Sequence, residues 1–534
     1  MRRDLGDFQT PPELVSAVLE VLGPIGLRWT RVLEPACGRG HFLAGLLAHR
    51  SPPREIRAVE IQPAHCRDAA ALVARQGHGG TDVAITCADL FGLDLGRDLS
   101  WRDRGPLLVV GNPPWVTSAE LGSLGSTAVP PKHNVKGLPG LAARTGAGNF
   151  DVAEAVWLKL ARELAAEAPT IALLCKTSVA RSILQFVHRA RLPIAAAWIR
   201  RIDAARWFGA AVSACLFCVT MATHGGEAPG LEGWSIPIFP DLETDVPAAV
   251  MGFARGWLIA DHPTYRRSAF ADGICPLTWR QGLKHDAAAV MELHRDAGTG
   301  ELRNRAGQPV DVEAEFIYPL LKGTDLTRPP GQRPGRAVLV TQEGLGDDTA
   351  RLAHRAPRLW HYLQANAERF ARRRSSIYRG RPPFAIFGVG PYSFAPFKVA
   401  ISGLHKAPAF RAVGPVEGRP VMLDDTGYFL ACSTALQAAA LTALCNDPIA
   451  LDLIRAASFA DAKRPITKAL LQRVDLRAVL ERVDRQRLLA RAATVFTGEL
   501  AAGPAGPGSP ARDRLEEEFS SLEQLRSNPP PAIL

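Results

Sequence analysis

The sequence predicts a doubly wound α/β domain followed by a less regular α+β region. Two observations predict the first domain. Strand-like and helical segments alternate at intervals of roughly 20 to 30 residues as far as about residue 225. Several of those strands end in an acid or a tight turn, the edge where open α/β sheets bind ligands. A third observation predicts the second region. Beyond about residue 230 the pattern mixes helices, short strands and many turns.

The elements follow in order. "TPPELVSAVLEVL" (10–22) reads as a helix, with Thr10 as N-cap, Pro11 and Pro12 in the first turn and apolar positions at helical spacing. "RVLEP" is a strand, followed by a glycine turn and a helix from Phe42 to His49. "EIRAVEIQ" and "DVAITCADLF" are strands separated by the helical "PAHCRDAAALVARQG". "PLLVVGNPPW" supplies a fourth strand, "NFDVAEAVWLKLARELA" a long helix and "TIALLCKT" another strand. "ILQFVHRARL" is helical, and "IAAAWIRRI" and "SACLFCVT" close the run before "HGGEAPGLEG" breaks it. The domains are therefore expected at 1–225 and 226–500, with a Pro/Gly-rich flexible tail over 501–534 that contains a short charged helix-like insert. In the second region "AAVMELHR" and "TALQAAALTALCN" read as helices, "RAVLVT" and "PVMLDD" as strands.

A chain of 534 residues suits two or three domains with ample core. No apolar run is long enough to span a bilayer, and "MRRDLGDFQTPPE" lacks a secretory signal, so the expected compartment is the cytoplasm. Of the nine cysteines only Cys215 and Cys218 form a CxxC pair. They lie in an apolar strand without a second ligand pair, so no metal site is expected. The net charge is +10. Its densest stretch runs from Arg351 to Arg381, where Arg355, Arg358, Arg369, Arg372, Arg373, Arg374 and Arg379 face one acid, Glu368, with Trp360, Tyr362 and Tyr378 interleaved. Arginines with aromatics suit a polyanion such as nucleic acid; a solvated helix face is the plainer reading.

In "LEPACGRGHF" Gly38 and Gly40 permit a tight turn and close backbone approach to a ligand. Glu34 precedes the turn, Glu60 ends the next strand and Asp89 follows the third. An acid beside the turn serves a pyrophosphate poorly and a cationic amino-acid ligand well.

"EPACGRG", "AVEI", "CADLF" and "GNPPW", in this order and spacing, resemble the S-adenosylmethionine-dependent methyltransferases, a Rossmann-like fold. More narrowly they resemble the gamma class of amino-methyltransferases that modify exocyclic amines of DNA bases, with "FQTPPE" upstream of the glycine turn. "LLKGTDL", "FGVGPYSFAPFKVAISGLHK" and "FADAKRPITKALL" resemble C-terminal segments of adenine-specific enzymes of the restriction–modification type. The resemblance reaches about residue 480 and implies S-adenosylmethionine as cofactor. It implies that Phe8, Thr10 and Pro11 border the methionine end. Glu34, Pro35, Ala36, Gly38 and Gly40 would form the cofactor turn. Glu60 would accept from the ribose hydroxyls, Ile61 pack on the adenine, and Asp89 bond its amine with Phe91 alongside.

The resemblance also gives "NPPW" a task. The adenine N6 lone pair is delocalised into the ring, and transfer needs it turned toward the methyl carbon. The side-chain carbonyl of Asn112 and the backbone carbonyl of Pro113 can each accept from one N–H, where charge develops on nitrogen. Pro113 and Pro114 stiffen the loop. Trp115 would stack on a flipped base. Phe208 is the candidate for its other face, with Trp207 as competitor. The Gly/Pro-rich stretch 117–148 reads as a lid ordered by DNA, with Lys132, His133 and Lys136 near phosphates.

Double-stranded DNA is the expected partner. Candidate contacts in the second region are Arg280, Lys284, Lys322, Arg372, Arg373, Arg374, Arg379, Lys398, Lys406, Lys463 and Arg464. Cutting activity is expected on a separate endonuclease or defence-system subunit. Other acceptors (cytosine N4, an RNA base or a protein glutamine) and a non-catalytic subunit that senses methylation remain alternatives. Asn112 favours adenine over cytosine, and the intact Asn-Pro-Pro argues against the sensor.

Overall fold

In the computed structural model, which describes residues 9–77, 79–116, 151–223, 230–296, 299–328, 334–501 and 509–525, the chain divides into two units, one ending at His262 and one beginning at Pro263.

Helix α1 (Pro12–Leu22) opens the first unit. Leu14, Val15, Val18, Leu19 and Leu22 fall on one face and are buried. Each contributes roughly 1.5–3 kcal/mol of apolar burial. The N-cap is Pro11 rather than the expected Thr10, and no side chain caps the helix. The Thr10 hydroxyl is engaged elsewhere, with Asn112.

Ten strands form one sheet: β1 (Arg31–Glu34), β2 (Glu55–Glu60), β3 (Asp82–Cys87), β4 (Leu107–Gly111), β5 (Thr170–Lys176), β6 (Ile194–Ile202), β7 (Ala214–Met221), β8 (Ile236–Phe239), β9 (Ala249–Ala254) and β10 (Trp257–Ile259). Their order is β10-β9-β8-β6-β7-β5-β4-β1-β2-β3. β1 to β5 pair in parallel, and β7 runs antiparallel between β5 and β6. The intervening helices include α2 (His41–Ala48), α3 (Pro63–Gln76), α4 (Val152–Glu163), α5 (Thr177–Ala190) and α6 (Ala204–Phe208). The chain moves outward from β1 through β2 to β3, then returns to β4 on the other side of β1. The crevice between the carboxyl ends of β1 and β4 is the switch point where such sheets bind ligands.

The first unit extends past the boundary expected near residue 225, because β8 to β10 continue the same sheet. Ile199 of β6 pairs with Ile238 of β8. The strand containing Cys215 and Cys218 is β7. Residues three apart on a strand project to opposite faces, and both thiols are buried. Among the described residues, no group of three or more His, Cys, Asp and Glu is placed to hold a metal ion.

The second unit has two small sheets. One is ordered β11-β19-β16-β17, the other β13-β12-β15-β14-β18. The strands are β11 (Arg280–Gln281), β12 (Glu292–Arg295), β13 (Leu302–Asn304), β14 (Ile317–Leu321), β15 (Ala337–Leu339), β16 (Phe397–Ser402), β17 (Arg411–Val413), β18 (Met422–Leu423) and β19 (Gly427–Cys432). Helices α7 (Pro357–Ala365), α8 (Ala435–Cys445), α9 (Arg485–Thr494) and α10 (Pro510–Gln524) accompany them. The expected helix "AAVMELHR" is one turn, Ala288–Met291, followed by β12. Within the expected tail, the short charged helix-like stretch is α10. Leu515, Phe519 and Leu522 lie on one face of α10 and are buried, and the helix packs against α8 and α9. Among the described residues, no helix is long and apolar enough to cross a membrane.

Candidate functional site

Four strand ends in the first unit converge on the switch point. Glu34 ends β1 and Glu60 ends β2. Asp89 follows β3, and Asn112 follows Gly111 at the end of β4.

The glycine turn between β1 and α2 needs its glycines. Gly38 and Gly40 have φ of 52° and 86°, a region that side chains rarely adopt. A Cβ on Gly38 would lie 2.6 Å from Gln9 Oε1, and one on Gly40 would lie 3.0 Å from Ala69 Cα. Gly40 N–H closes the turn on Cys37 O at 2.8 Å, and three bonds tie it to its surroundings: Cys37 N–H to Val59 O at 2.9 Å, Gly38 N–H to Glu60 Oε2 at 2.9 Å and Arg39 N–H to Gln9 Oε1 at 3.0 Å. Pro35 is buried within it and Ala36 is half-buried.

Glu60 is 7% exposed, and its Oε1 accepts from Gln62 N–H at 2.8 Å. A carboxylate has about four acceptor positions, so two backbone bonds leave capacity for ribose hydroxyls. Ile61 is 42% exposed, a large apolar side chain at a strand end where a purine face would cover it. Asp89 Oδ1 accepts from Phe91 N–H at 3.0 Å, which fixes the carboxylate and leaves Phe91 beside it. These side chains fit an adenosine with a cationic tail. Phe8, Lys132, His133 and Lys136 lie outside the described residues.

Glu34 is 2% exposed and its Oε2 has no hydrogen-bond partner among the described residues. Burial, reinforced by the charge of Glu60, pushes its carboxyl well above the usual carboxylate range.

Asn112 is half-buried, with Nδ2 donating to Thr10 Oγ1 at 3.2 Å. Thr10 is buried, and its carbonyl meets His41 Nδ1 at 2.6 Å. Pro113 is buried and Pro114 half-buried. The expectation of an open stacking face at Trp115 is corrected. The indole is 5% exposed, and its Nε1–H donates to Leu174 O of β5 at 3.2 Å. A buried N–H requires such a partner. The indole edge meets Phe208 at 5.0 Å and 72°. Phe208 is half-buried at the end of α6. Its neighbour Trp207 lies under the Arg206 guanidinium at 4.5 Å.

Gln9 and Lys176 were not singled out from the sequence, whereas "NFD" (149–151) reads, through the resemblance, as the start of the helix lining the cofactor pocket. Gln9 sits inside "FQTPPE" and bonds the glycine turn. Asp151 caps α4 through Ala153 N–H at 3.1 Å, and Lys176 at the end of β5 pairs with it at 2.7 Å. Val152 N–H, the first of α4, donates to Val116 O at 2.8 Å, which ties the helix to the end of the "NPPW" loop. A cation closing the apolar strand "TIALLCK" was the legible signal for Lys176.

In the second unit the cation candidates separate into two sets. Arg372, Arg374, Arg379, Lys406 and Lys463 are exposed. The others have work within the protein. Lys398 is 1% exposed and donates to Ala395 O at 2.8 Å. Burial pushes its ammonium down to about 8. It is not a surface contact, because its position in β16 points it inward. Arg373 donates to Ala385 O at 2.7 Å and lies 3.8 Å over Tyr378. Lys322 pairs with Glu292 at 2.6 Å, Arg464 with Asp425 at 3.1 Å and Lys284 with Asp286 at 3.7 Å. Arg280 lies 4.4 Å over Tyr392.

No protein-family model matches the chain. The Type II methyltransferase M.NspV of Nostoc sp. is 34% identical over 474 residues, covering 89% of this chain and 96% of that protein. Among solved structures, the Type IIL restriction–modification enzyme MmeI in complex with DNA matches with a TM-score of 0.53 at 13% identity. That match covers 97% of this chain and 73% of MmeI and supports the fold. The methyl donor is S-adenosylmethionine. With a third of its residues shared along nearly the whole of both chains, the protein belongs to the Type II methyltransferases of restriction–modification systems.

Proposed function

We propose that the chain methylates the N6 amine of an adenine flipped out of duplex DNA, as an enzyme of the gamma amino-methyltransferase class. The observation that carries this reading is the Asn112 amide. Its NH2 donates to Thr10 Oγ1 at 3.2 Å, just past the carboxyl end of β4, and in this reading Oδ1 is turned to the substrate. There it accepts one N–H of an exocyclic amine, and the carbonyl of Pro113 accepts the other. The nitrogen lone pair then points at the methyl carbon. S-Adenosylmethionine supplies that electrophilic methyl on its sulfonium. A nitrogen–carbon bond forms, the sulfur–carbon bond breaks, and the amine then loses a proton to water. Both acceptors are neutral and preorganised, and they hold the amine most strongly as it becomes positive.

Phe208 stacks on the flipped base in this reading, worth about 1–3 kcal/mol by analogy with base–aromatic contacts. Trp115 backs Phe208 and anchors the loop. Glu34, Glu60, Ile61, Asp89 and the glycine turn hold the cofactor. Arg372, Arg374, Arg379, Lys406 and Lys463 contact backbone phosphates. The setting is the bacterial cytoplasm. Cleavage belongs to a separate endonuclease: the chain is matched along 96% of a relative named as a methyltransferase.

The test is acceptor competition. The protein is incubated with methyl-labelled S-adenosylmethionine and equal amounts of mixed-sequence duplex DNA, RNA and a cell-derived protein fraction. Label in DNA is expected. Label confined to RNA or to protein glutamine, or cofactor binding without transfer, overturns this reading.

A further inference from the structure

The two buried acids at the crevice have unlike surroundings. Glu60 accepts two backbone N–H bonds, from Gly38 and Gln62. Glu34 lies on the neighbouring strand, 2% exposed, with Oε2 unpartnered among the described residues. Two buried carboxylates this close do not both ionise readily without a cation. Among the described residues, the groups around Glu34 supply none. β2 contributes Glu60. The turn contributes the Cys37 thiol, which burial and both acids push far above its usual range. β4 contributes Gly111, whose Cβ position lies 3.4 Å from Glu34 Cγ. The N-terminal segment contributes the neutral Thr10, with the His41 ring beyond it on the Thr10 carbonyl.

We propose that Glu34 carries a proton in the ligand-free protein and releases it to solvent when a cationic ligand enters the crevice. The inference rests on the cofactor reading and deepens it. A ligand bearing a sulfonium or an ammonium brings the missing positive charge. The carboxyl O–H bond breaks, the proton passes to buffer, and the carboxylate remains paired with the ligand. Burial already favours the neutral acid. Binding is therefore proton-linked, and affinity for the cation rises by up to about tenfold per pH unit while Glu34 is protonated in the free protein.

The test is calorimetric titration of the full chain near pH 6.5 in buffers of different ionisation enthalpy. Three ligands separate the charge sources: S-adenosylmethionine, S-adenosylhomocysteine (ammonium only) and 5′-methylthioadenosine (neither charge). Release of about one proton is expected with S-adenosylmethionine and none with 5′-methylthioadenosine. Release with S-adenosylhomocysteine assigns the ammonium as the partner, and its absence assigns the sulfonium. Glu34→Gln, a neutral isostere, should abolish the release. It should weaken S-adenosylmethionine at least tenfold at pH 8 and by less at pH 6. S-Adenosylmethionine binding without proton release, or equal release in Glu34→Gln, overturns the inference and leaves the function standing. Failure of all three ligands to bind removes both. If Glu34→Gln does not fold, the wild-type comparison of charged and neutral ligands still decides.

Discussion

Asn112 and Thr10 are joined by a hydrogen bond from the amide Nδ2 to the threonine hydroxyl, 3.2 Å long and 102 residues apart in sequence. That bond connects the segment ahead of α1 to the loop that follows β4. In the proposed function it sets which face of the amide meets the substrate. Thr10→Val keeps the volume of the buried side chain and removes the acceptor. Turnover should fall by about a hundredfold, the scale of a misplaced reacting group. S-Adenosylmethionine affinity should change little, and Thr10→Ser should recover most of the activity. Steady-state kinetics with duplex DNA checks this; an unchanged kcat in Thr10→Val contradicts it.

Trp115 holds its loop through Nε1–H to the Leu174 carbonyl and through its edge on Phe208. Trp115→Phe keeps an aromatic ring and loses the donor. The Leu174 carbonyl then loses that donor, at a cost of about 0.5–1.5 kcal/mol. Urea denaturation should show that loss. Phe208→Ala should instead weaken binding of DNA carrying a mismatched or abasic-paired target adenine, with a smaller change in folding stability.

The Asp151–Lys176 pair predicts a pH-dependent stability. Burial raises the Asp151 carboxyl, and Lys176 at 2.7 Å opposes that rise. Lys176→Met leaves the ionised acid buried without its cation. Because the folded-state value then lies further above the unfolded one, the ionised form is penalised at neutral pH and relieved as pH falls. The variant should be less stable at pH 8, by up to about 3 kcal/mol, and the deficit should shrink toward pH 5. Thermal denaturation across that range reads it. A deficit that grows on acidification contradicts the pairing.

The parts of this site that were legible in the sequence are those that follow a strand end. Glu34, Glu60, Asp89 and Asn112 each come directly after an apolar run, so local pattern placed them on one edge. Thr10 with Asn112, and Asp151 with Lys176, are pairings between distant segments, and no local periodicity records them. The same holds for the domain boundary. "HGGEAPGLEG" breaks the local pattern, yet the sheet continues beyond it because Ile238 pairs with Ile199. Membership of a sheet is set by such non-local pairing. α10 was legible as a short charged helix-like insert, but the packing of Leu515, Phe519 and Leu522 against α8 and α9 is non-local and left no such signal. Lys398 misled for another reason. A lysine within "FKVAIS" reads as a solvent-facing position, whereas both faces of β16 are covered.

That distinction among cations is testable. Arg374→Ala and Arg379→Ala should each weaken duplex binding and lower the slope of log K against log salt by about 1. Lys398→Met should leave DNA affinity unchanged. Its effect should fall on stability. Burial pushes the lysine down to about 8, so the unfolded chain binds more protons between about 8 and 10.5, and wild-type stability rises with pH across that window. Lys398→Met removes that rise and should be more stable at neutral pH, by up to about 3 kcal/mol. Filter binding over a salt series and denaturation over a pH series check the two halves.

The central claim is that Asn112 presents an adenine amine to the methyl donor. The most direct measurement is nucleoside analysis by mass spectrometry after the wild type and Asn112→Ala are incubated with methyl-labelled S-adenosylmethionine and duplex DNA. Labelled N6-methyladenine with the wild type, and its loss in Asn112→Ala with cofactor binding intact, is the predicted result. Labelled N4-methylcytosine in place of N6-methyladenine, or undiminished transfer by Asn112→Ala, would contradict the account.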